Sequence, residues 1–130
     1  MRITLEIVTP EKSVYLDTVD EVSLPAVRGY LTVLPGHTPA LCALGTGVVI
    51  TRSEGGRGER LVVAGGVAEI TENRVILLAD YARKAGDIDP AQARTDLGAA
   101  EKLLAGDARQ VRDGQKQYAL AIASLDAAAN

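Results

Sequence analysis

Asp87-Ile88-Asp89-Pro90-Ala91-Gln92-Ala93 is the stretch at which the pattern of this 130-residue chain changes. Before it, apolar and polar residues alternate as in half-buried strands, and glycine or proline interrupts the alternation every few residues. After Pro90 the chain contains no proline, and its alanine-rich stretches follow helical spacing. The sequence therefore predicts an α+β fold, with an N-terminal antiparallel β-sandwich over residues 1–86 and a C-terminal antiparallel two-helix hairpin over residues 87–130.

Short strands with turn signals between them are predicted throughout the N-terminal part. They cover residues 3–7, 13–16, 18–24, 31–34, 41–44, 47–53, 59–64, 67–71 and 74–79. Hairpin turns are expected over residues 54–58 and at Gly65-Gly66, because glycine reaches the positive φ of a tight turn without strain. No helical period interrupts this series, which argues against a parallel α/β sheet and favours a sandwich or flattened barrel.

The C-terminal part carries signals for two helices. Asp89 is a good N-cap, Pro90 suits the first helical position, and Gln92 is placed to complete a capping box. Gly106-Asp107 separates this helix from a second one, expected over about residues 108–127. The predicted apolar faces consist of Ala93, Leu97, Ala100 and Leu104 in the first helix and of Val111, Tyr118, Ile122 and Leu125 in the second. Because alanine buries little surface, at roughly 25 cal/mol per Å², the hairpin is expected to be a weakly held arm that can detach.

Composition and charge narrow the classes of function. The formal net charge is −3 and there is no basic stripe, so nucleic-acid binding is not expected. The single cysteine, Cys42, excludes an internal disulfide and fits a reducing compartment. No apolar run approaches the ~20 residues of a membrane-spanning helix, and the N-terminus reads as a strand rather than as a signal peptide. We therefore expect a protein of a bacterial cytoplasm, or one encoded inside an organelle.

His37 and Cys42 are the residues most suggestive of catalysis. One hypothesis is a Cys/His nucleophile pair in a small enzyme. The alternative is a loop histidine beside a small apolar thiol at the start of a strand, and it is favoured because no third residue is indicated to orient the base. One histidine and one cysteine do not supply the usual ligands of a zinc site, so neither a metal nor a cofactor is expected.

Three cations of the second helix lie on one face. Arg109, Arg112 and Lys116 follow the spacing i, i+3, i+7 and are called here the cationic ridge. The ridge is either a solvated face, partly compensated by Asp107 and Asp113, or a surface aimed at an acidic partner. The residues alone favour the solvated face, because exposed ion pairs contribute only ~0–1 kcal/mol each.

Five motifs in this order resemble the epsilon subunit of bacterial F-type ATP synthases, a family that includes the chloroplast epsilon and mitochondrial delta subunits. They are Leu5-Glu6-Ile7-Val8-Thr9-Pro10-Glu11, the stretch Leu24-Pro25 followed by Gly29 and Leu34-Pro35-Gly36-His37-Thr38-Pro39-Ala40-Leu41, Gly65-Gly66-Val67-Ala68-Glu69-Ile70, Asn73-Arg74-Val75-Ile76-Leu77-Leu78-Ala79-Asp80, and Asp87-Ile88-Asp89 before the helical pair. Each motif alone is weak, but the five in this order are a strong signal, and the resemblance covers nearly the whole chain.

The resemblance implies a non-catalytic subunit of the rotating central stalk. The sandwich would bind the gamma subunit and the membrane c-type rotor ring, with Tyr30, Gly36 and His37 as partner-binding residues. The hairpin would be a movable regulatory arm that restrains ATP hydrolysis and meets the catalytic beta and alpha subunits transiently through the cationic ridge. Such a subunit would be peripheral, at the cytoplasmic face of the bacterial plasma membrane, and would not insert into lipid.

The sequence departs from the family pattern at the positions that matter for the ring and for nucleotide. Tyr30 stands where relatives commonly carry an acid that contributes to the ring contact. Asp89 matches the Ile/Leu-Asp-x-x-Arg-Ala motif of members that bind ATP in the hairpin, but Gln92 replaces its arginine. Further differences at the family's nucleotide positions are Arg83, Leu120 and Ser124. No nucleotide binding is therefore expected, although an ATP-sensing variant of the same subunit remains an alternative.

Overall fold

The computed structural model describes residues 2–56 and 58–129, and in these ranges it contains eight strands followed by two helices. The strands are β1 Ile3–Val8, β2 Ser13–Val19, β3 Glu21–Ala26, β4 Gly29–Val33, β5 Ala40–Ala43, β6 Thr46–Arg52, β7 Arg60–Ile70 and β8 Arg74–Lys84. A single 3₁₀ turn, Ala85–Asp87, leads to α1 Pro90–Leu104 and α2 Ala108–Ala128. The predicted α+β class and the order of its two parts are confirmed.

The strands pair in the order β2-β1-β8-β7-β6-β3-β4, and β5 pairs with β7 beside this path. All pairs are antiparallel except β1 with β8, where Thr4 lies opposite Arg74 and Val8 opposite Leu78. Parallel neighbours need a long connection, and here the whole of the chain between β1 and β8 supplies it. The sandwich is thus antiparallel, as expected, apart from this one pair.

Gly65 and Gly66 do not form the predicted hairpin turn, because both lie inside the continuous strand β7. Their φ angles are 71° and 121°, and a Cβ at Gly66 would collide with the carbonyl oxygen of Leu78. Before the glycines β7 pairs with β6, through Thr46 and Ala64; after them it pairs with β5, through Ala43 and Val67. The positive φ angles therefore bend a long strand from one layer of the sandwich to the other.

The main core lies between the two layers and is built from aliphatic side chains. Its largest fully buried members are Ile3, Leu5, Ile7, Leu24, Leu61, Ile70 and Leu77. Residues of β1, β3, β7 and β8 all contribute, so both layers close on the same cluster. None of the residues in this cluster comes from α1 or α2. The main core therefore packs without the hairpin.

Helix α1 begins at Pro90 with Asp89 as N-cap, as predicted, but its expected capping box is not formed. The Asp89 carboxylate accepts from the Ala91 N–H at 3.0 Å, while the Gln92 side chain donates to Asp96 at 2.9 Å. Asp96 lies one helical turn after Gln92 and offers a charged acceptor that competes with the N-cap backbone. At the start of α2 the equivalent position one turn on is a glycine, and there Asp107 and Gln110 do form the box.

The buried face of α2 differs from the predicted one. The residues that α2 buries are Gly114, Ala121, Ala123, Ser124 and Ala127. Tyr118 and Ile122 are 38% and 44% exposed, and Val111 and Leu125 are only half-buried. A Cβ at Gly114 would lie 2.9 Å from the Leu103 Cβ, so α1 approaches α2 too closely for any side chain at position 114. The face predicted for α1 is confirmed, since Ala93 and Ala100 are buried and Leu97 and Leu104 half-buried.

Candidate partner-binding surfaces

The structure does not bring His37 and Cys42 together as a catalytic pair. Cys42 lies on β5, where it is half-buried and packs against the main core. The His37 residue is half-buried, and its Nδ1 lies 2.6 Å from the Thr38 carbonyl oxygen, which can only accept, so Nδ1 donates in this contact. Within residues 2–56 and 58–129 no group of three or more His, Cys, Asp or Glu side chains could hold a metal ion.

Among the described residues, Tyr15 has a pKa that is shifted from its ordinary value, and the shift follows from its place in the fold. It is only 7% exposed and belongs to the main core. Burial raises the pKa of its phenol, and a hydrogen bond to Thr51 partly opposes this shift. A tyrosine that stays neutral and packs inside the sandwich stabilises the fold and is not placed for proton transfer.

The loop between β4 and β5 has a fixed backbone. Gly36, at φ 84°, donates its N–H to the Glu72 carbonyl oxygen at 2.6 Å, which ties the loop to the β7–β8 turn. The His37 N–H donates to the Leu34 carbonyl oxygen at 3.2 Å. Leu34 is 53% exposed, and His37, close to it in the loop, is half-buried. The loop thus presents an apolar side chain and an imidazole on an ordered backbone.

Tyr30 lies near the other end of β4 and is held there by its hydroxyl. Pairing of β3 with β6 stops at Ser23 and Ile50, so the Val48 N–H has no strand partner on that side. The Tyr30 hydroxyl accepts this N–H at 3.0 Å, and a Cβ at Gly47 would lie 2.5 Å from the same oxygen. Only glycine at position 47 leaves room for the phenol. The ring nevertheless remains 60% exposed.

The three residues predicted to bind a partner therefore lie at two places. A strand advances about 3.3 Å per residue, so Tyr30 and Leu34, at the two ends of β4, are separated by roughly 13 Å. Gly36 and His37 lie beyond Leu34, against the β7–β8 turn. One small contact with a partner protein therefore cannot cover both Tyr30 and the loop.

The sequence interpretation missed an exposed apolar surface on the layer formed by β5, β7, β8, β1 and β2. Its members are Leu16, Leu41, Val67 and Leu78, which are 63%, 71%, 40% and 55% exposed, and we call it the outer apolar face. Val67 lies directly opposite Leu78, and cross-strand pairs connect Leu41 through Glu69, Ile76 and Glu6 to Leu16. Directly paired residues project from the same side of a sheet, so all four share one face. Clustered exposed apolar residues are typical of interaction sites.

The hairpin rests on the opposite layer, on a small contact that we call the helix seat. Its buried members are Val48 and Val62 of the sandwich and Ala123 and Ala127 of α2. Tyr81, Ala85, Ile88 and Leu120 are partly buried around it. At its edge the Arg60 Nη2 lies 3.5 Å from the Asp126 Oδ2. The contact joins α2 to β6 and β7 mainly through methyl groups.

The cationic ridge is exposed, and its members differ in surroundings. Lys116 lines a cavity of about 350 Å³ between α2 and the sandwich, together with Asp80 and Leu120. Among the described residues neither Arg109 nor Arg112 makes an ion pair. Arg109 and Arg112 therefore lie at the solvent-exposed end of the ridge, and Lys116 lies at the end beside the sandwich.

The comparison with known proteins agrees with this architecture. Residues 2–85 match the model of the ATP synthase delta/epsilon chain β-sandwich domain. ATP synthase epsilon chains of Prochloron didemni and Nitratidesulfovibrio vulgaris are 41% and 40% identical, covering 85% and 89% of this chain and 83% and 86% of theirs. That of Granulibacter bethesdensis is 44% identical over 78% of this chain and 76% of its own.

Two solved structures contain chains of the same fold. One is a chain of the Euglena gracilis mitochondrial ATP synthase, described as OSCP/F1/c-ring, with a TM-score of 0.85, 22% identity, and coverage of 99% of this chain and 82% of that one. The other comes from the central stalk and c-ring of the Tetrahymena thermophila mitochondrial ATP synthase, with a TM-score of 0.61, 14% identity and coverage of 98% and 97%. The predicted family and fold are confirmed, and the chain belongs to the ATP synthase delta/epsilon family.

Proposed function

We propose that this chain is a non-catalytic subunit of the central stalk of an F-type ATP synthase, where it joins the gamma subunit to the c-type rotor ring. The family match over the sandwich supports the assembly, and the outer apolar face is the observation that carries the proposed contact. The four large aliphatic side chains would gain from burial against a partner, while Glu6 and Glu69, which lie between them on the same face, need polar groups opposite them. We assign the gamma subunit to this face.

The loop that holds Gly36 and His37 is proposed as the contact with the rotor ring. Pro35 and Pro39 restrict it, and the hydrogen bond from Gly36 to the Glu72 carbonyl fixes its position. A loop that is already ordered loses little conformational entropy on binding, which favours affinity. Tyr30 is proposed to add a second, apolar contact at the far end of β4, in place of the acid that relatives commonly carry.

The hairpin is proposed as the regulatory arm that restrains ATP hydrolysis. The main core contains no residue of α1 or α2, and the helix seat is small, so the arm can leave the sandwich without unfolding it. In the released state the cationic ridge would meet the catalytic beta and alpha subunits. In the docked state Lys116 and Asp80 line the same cavity.

Nucleotide binding by the arm is not part of the proposal. Asp89 already caps α1, and Gln92 donates to Asp96, so neither side chain is free for a ligand. Phosphate recognition without a glycine loop relies on arginine, and Gln92, Leu120 and Ser124 supply no cation.

The subunit is proposed to be peripheral at the cytoplasmic face of the bacterial plasma membrane, held by the ring and not by lipid insertion. In the part of the chain that the structure describes, no helix is long and apolar enough to cross a membrane.

Capture of the gamma subunit by the full chain tests the proposed interface. Leu41→Glu and Leu78→Glu place charges on the outer apolar face and should each weaken capture at least tenfold, because an unpaired carboxylate resists burial. Ile50→Glu is the matched control, since Ile50 is 38% exposed on β6, in the layer that carries the helix seat and not in the layer of the outer apolar face. Equal capture by all three variants would exclude the outer apolar face as the gamma-binding surface.

A further inference from the structure

The helix seat by itself does not define where α2 sits along the sandwich. Ala123 and Ala127 are one turn apart, and Ala119 lies one turn before them, so α2 carries an alanine ladder at i, i+4 and i+8. A slide of α2 by one turn would bring Ala119 and Ala123 onto Val48 and Val62 in place of Ala123 and Ala127. For the buried alanine and valine methyl groups alone, the contact would be almost the same in both positions.

The ion pair at the edge of the seat can form in only one of these two positions of α2. The Arg60 Nη2 contacts Asp126 twice, at 3.4 Å to its carbonyl oxygen and 3.5 Å to its carboxylate. After a one-turn slide Ile122 would occupy the place of Asp126 and offer no carboxylate. The same slide would bring Lys116 to the place of Leu120, which is partly buried in the seat.

The surroundings of Arg60 make the loss of its partner costly. Its side chain is 24% exposed, and its Nε is buried without a hydrogen-bond partner in the described structure. A guanidinium that is largely covered by a helix and deprived of its carboxylate is an incompletely compensated charge, although its partial exposure to water reduces the cost. Arg60 also binds one of the last carbonyl groups of α2, which have no partner within the helix and lie at the negative end of its dipole.

We propose that Arg60 is the positioning residue of the docked hairpin: it selects one register of α2 on the sandwich out of two that the alanine ladder would accept. Registry is the best-attested use of a partly buried ion pair. In this protein the ladder makes docking reversible, and Arg60 with Asp126 makes it specific. The regulatory meaning of this register rests on the proposed function. The register itself can be tested without it.

Methyl nuclear Overhauser contacts in the intact, isotope-labelled chain report the register directly. The wild type should show contacts from the Val48 and Val62 methyls to the Ala123 and Ala127 methyls. In Arg60→Gln or Asp126→Asn, the population that is slipped or released should rise about fivefold, the upper range for a partly exposed ion pair. Contacts from Val48 or Val62 to the Ala119 methyl would mark the slipped form.

Two further variants separate the charge from other effects. Asp113→Asn makes the same substitution at an exposed acid of α2 that makes no ion pair in the described structure, and it should keep the wild-type contacts. Arg60→Lys keeps the charge and should keep the native register. No rise of the slipped or released population over the wild type in both Arg60→Gln and Asp126→Asn would overturn the inference, as would slippage in Arg60→Lys equal to that in Arg60→Gln.

The outcome for regulation is read separately, from ATP hydrolysis by the assembled enzyme with the same variants. A shifted register with unchanged hydrolysis would leave the role of Arg60 intact and count against the regulatory arm. An unshifted register would overturn the role of Arg60, whatever the hydrolysis rate.

Discussion

Truncation after Asp87 should leave a folded sandwich, and the structure sets the size of the effect. The main core has no member from α1 or α2, so the loss is confined to the helix seat. Val48 and Val62, now 2% and 0% exposed, would face water. Burying a valine fully is worth about 1.5–3 kcal/mol, so exposing the two costs at most ~3–6 kcal/mol. Small domains have ~5–15 kcal/mol in total, and the truncated protein should therefore remain folded but less stable.

Urea unfolding and amide spectra of the full and truncated chains measure this prediction. The truncated chain should unfold at a lower urea concentration in one transition and retain dispersed, narrow amide resonances. Val48→Thr with Val62→Thr is the matched control, because threonine has nearly the shape of valine but is more easily exposed to water. The pair should cost the truncated chain less stability than it costs the full one. Broad resonances and no cooperative transition would show that the hairpin is part of the core and refute the reasoning.

Three further predictions concern assembly, regulation and nucleotide. His37→Glu or Gly36→Arg should weaken binding to the rotor ring in pull-down assays while the amide spectrum stays that of a folded domain, and unchanged binding by both would remove the loop from the interface. Replacing the cationic ridge by alanine should raise ATP hydrolysis by the assembled enzyme and leave synthesis largely intact, with an effect that salt reduces because exposed charges are screened over ~8–10 Å; equal rates across salt would make the ridge a solvated face. Calorimetry of the isolated chain should detect no ATP binding tighter than millimolar, and a dissociation constant well below that would point to Arg94 as an unrecognised ligand.

The features that could be predicted from the sequence are those set by neighbouring residues. Asp89 and Pro90 give the start of α1 because capping and a preset φ act within one turn. The alternation of Ile3, Leu5 and Ile7 predicts β1 because a strand with one buried face has a period of two. The order of motifs predicts the family for the same reason, since it needs no knowledge of distant contacts.

The features that could not be predicted depend on distant partners. Gly65-Gly66 looks like a hairpin turn, because a turn and a bend within a strand both need positive φ and only the pairing of β7 with β5 and β6 decides between them. The buried face of α2 depends on Gly114 fitting against Leu103, whereas a search for large apolar residues selects Tyr118. The outer apolar face brings together strands from both ends of the sandwich sequence, and no local pattern connects Leu16 with Leu41.

Isolation of the intact synthase tests the central claim most directly. The tagged chain, expressed in the cells it comes from, would be purified from detergent-solubilised membranes, and the subunits that accompany it would be quantified. The account predicts one copy for each gamma subunit, with the rotor ring and the catalytic subunits present, and loss of the gamma and catalytic subunits from a Leu41→Glu, Leu78→Glu double variant. Elution of the wild-type chain free of gamma and ring would contradict the claim that it is a subunit of the central stalk.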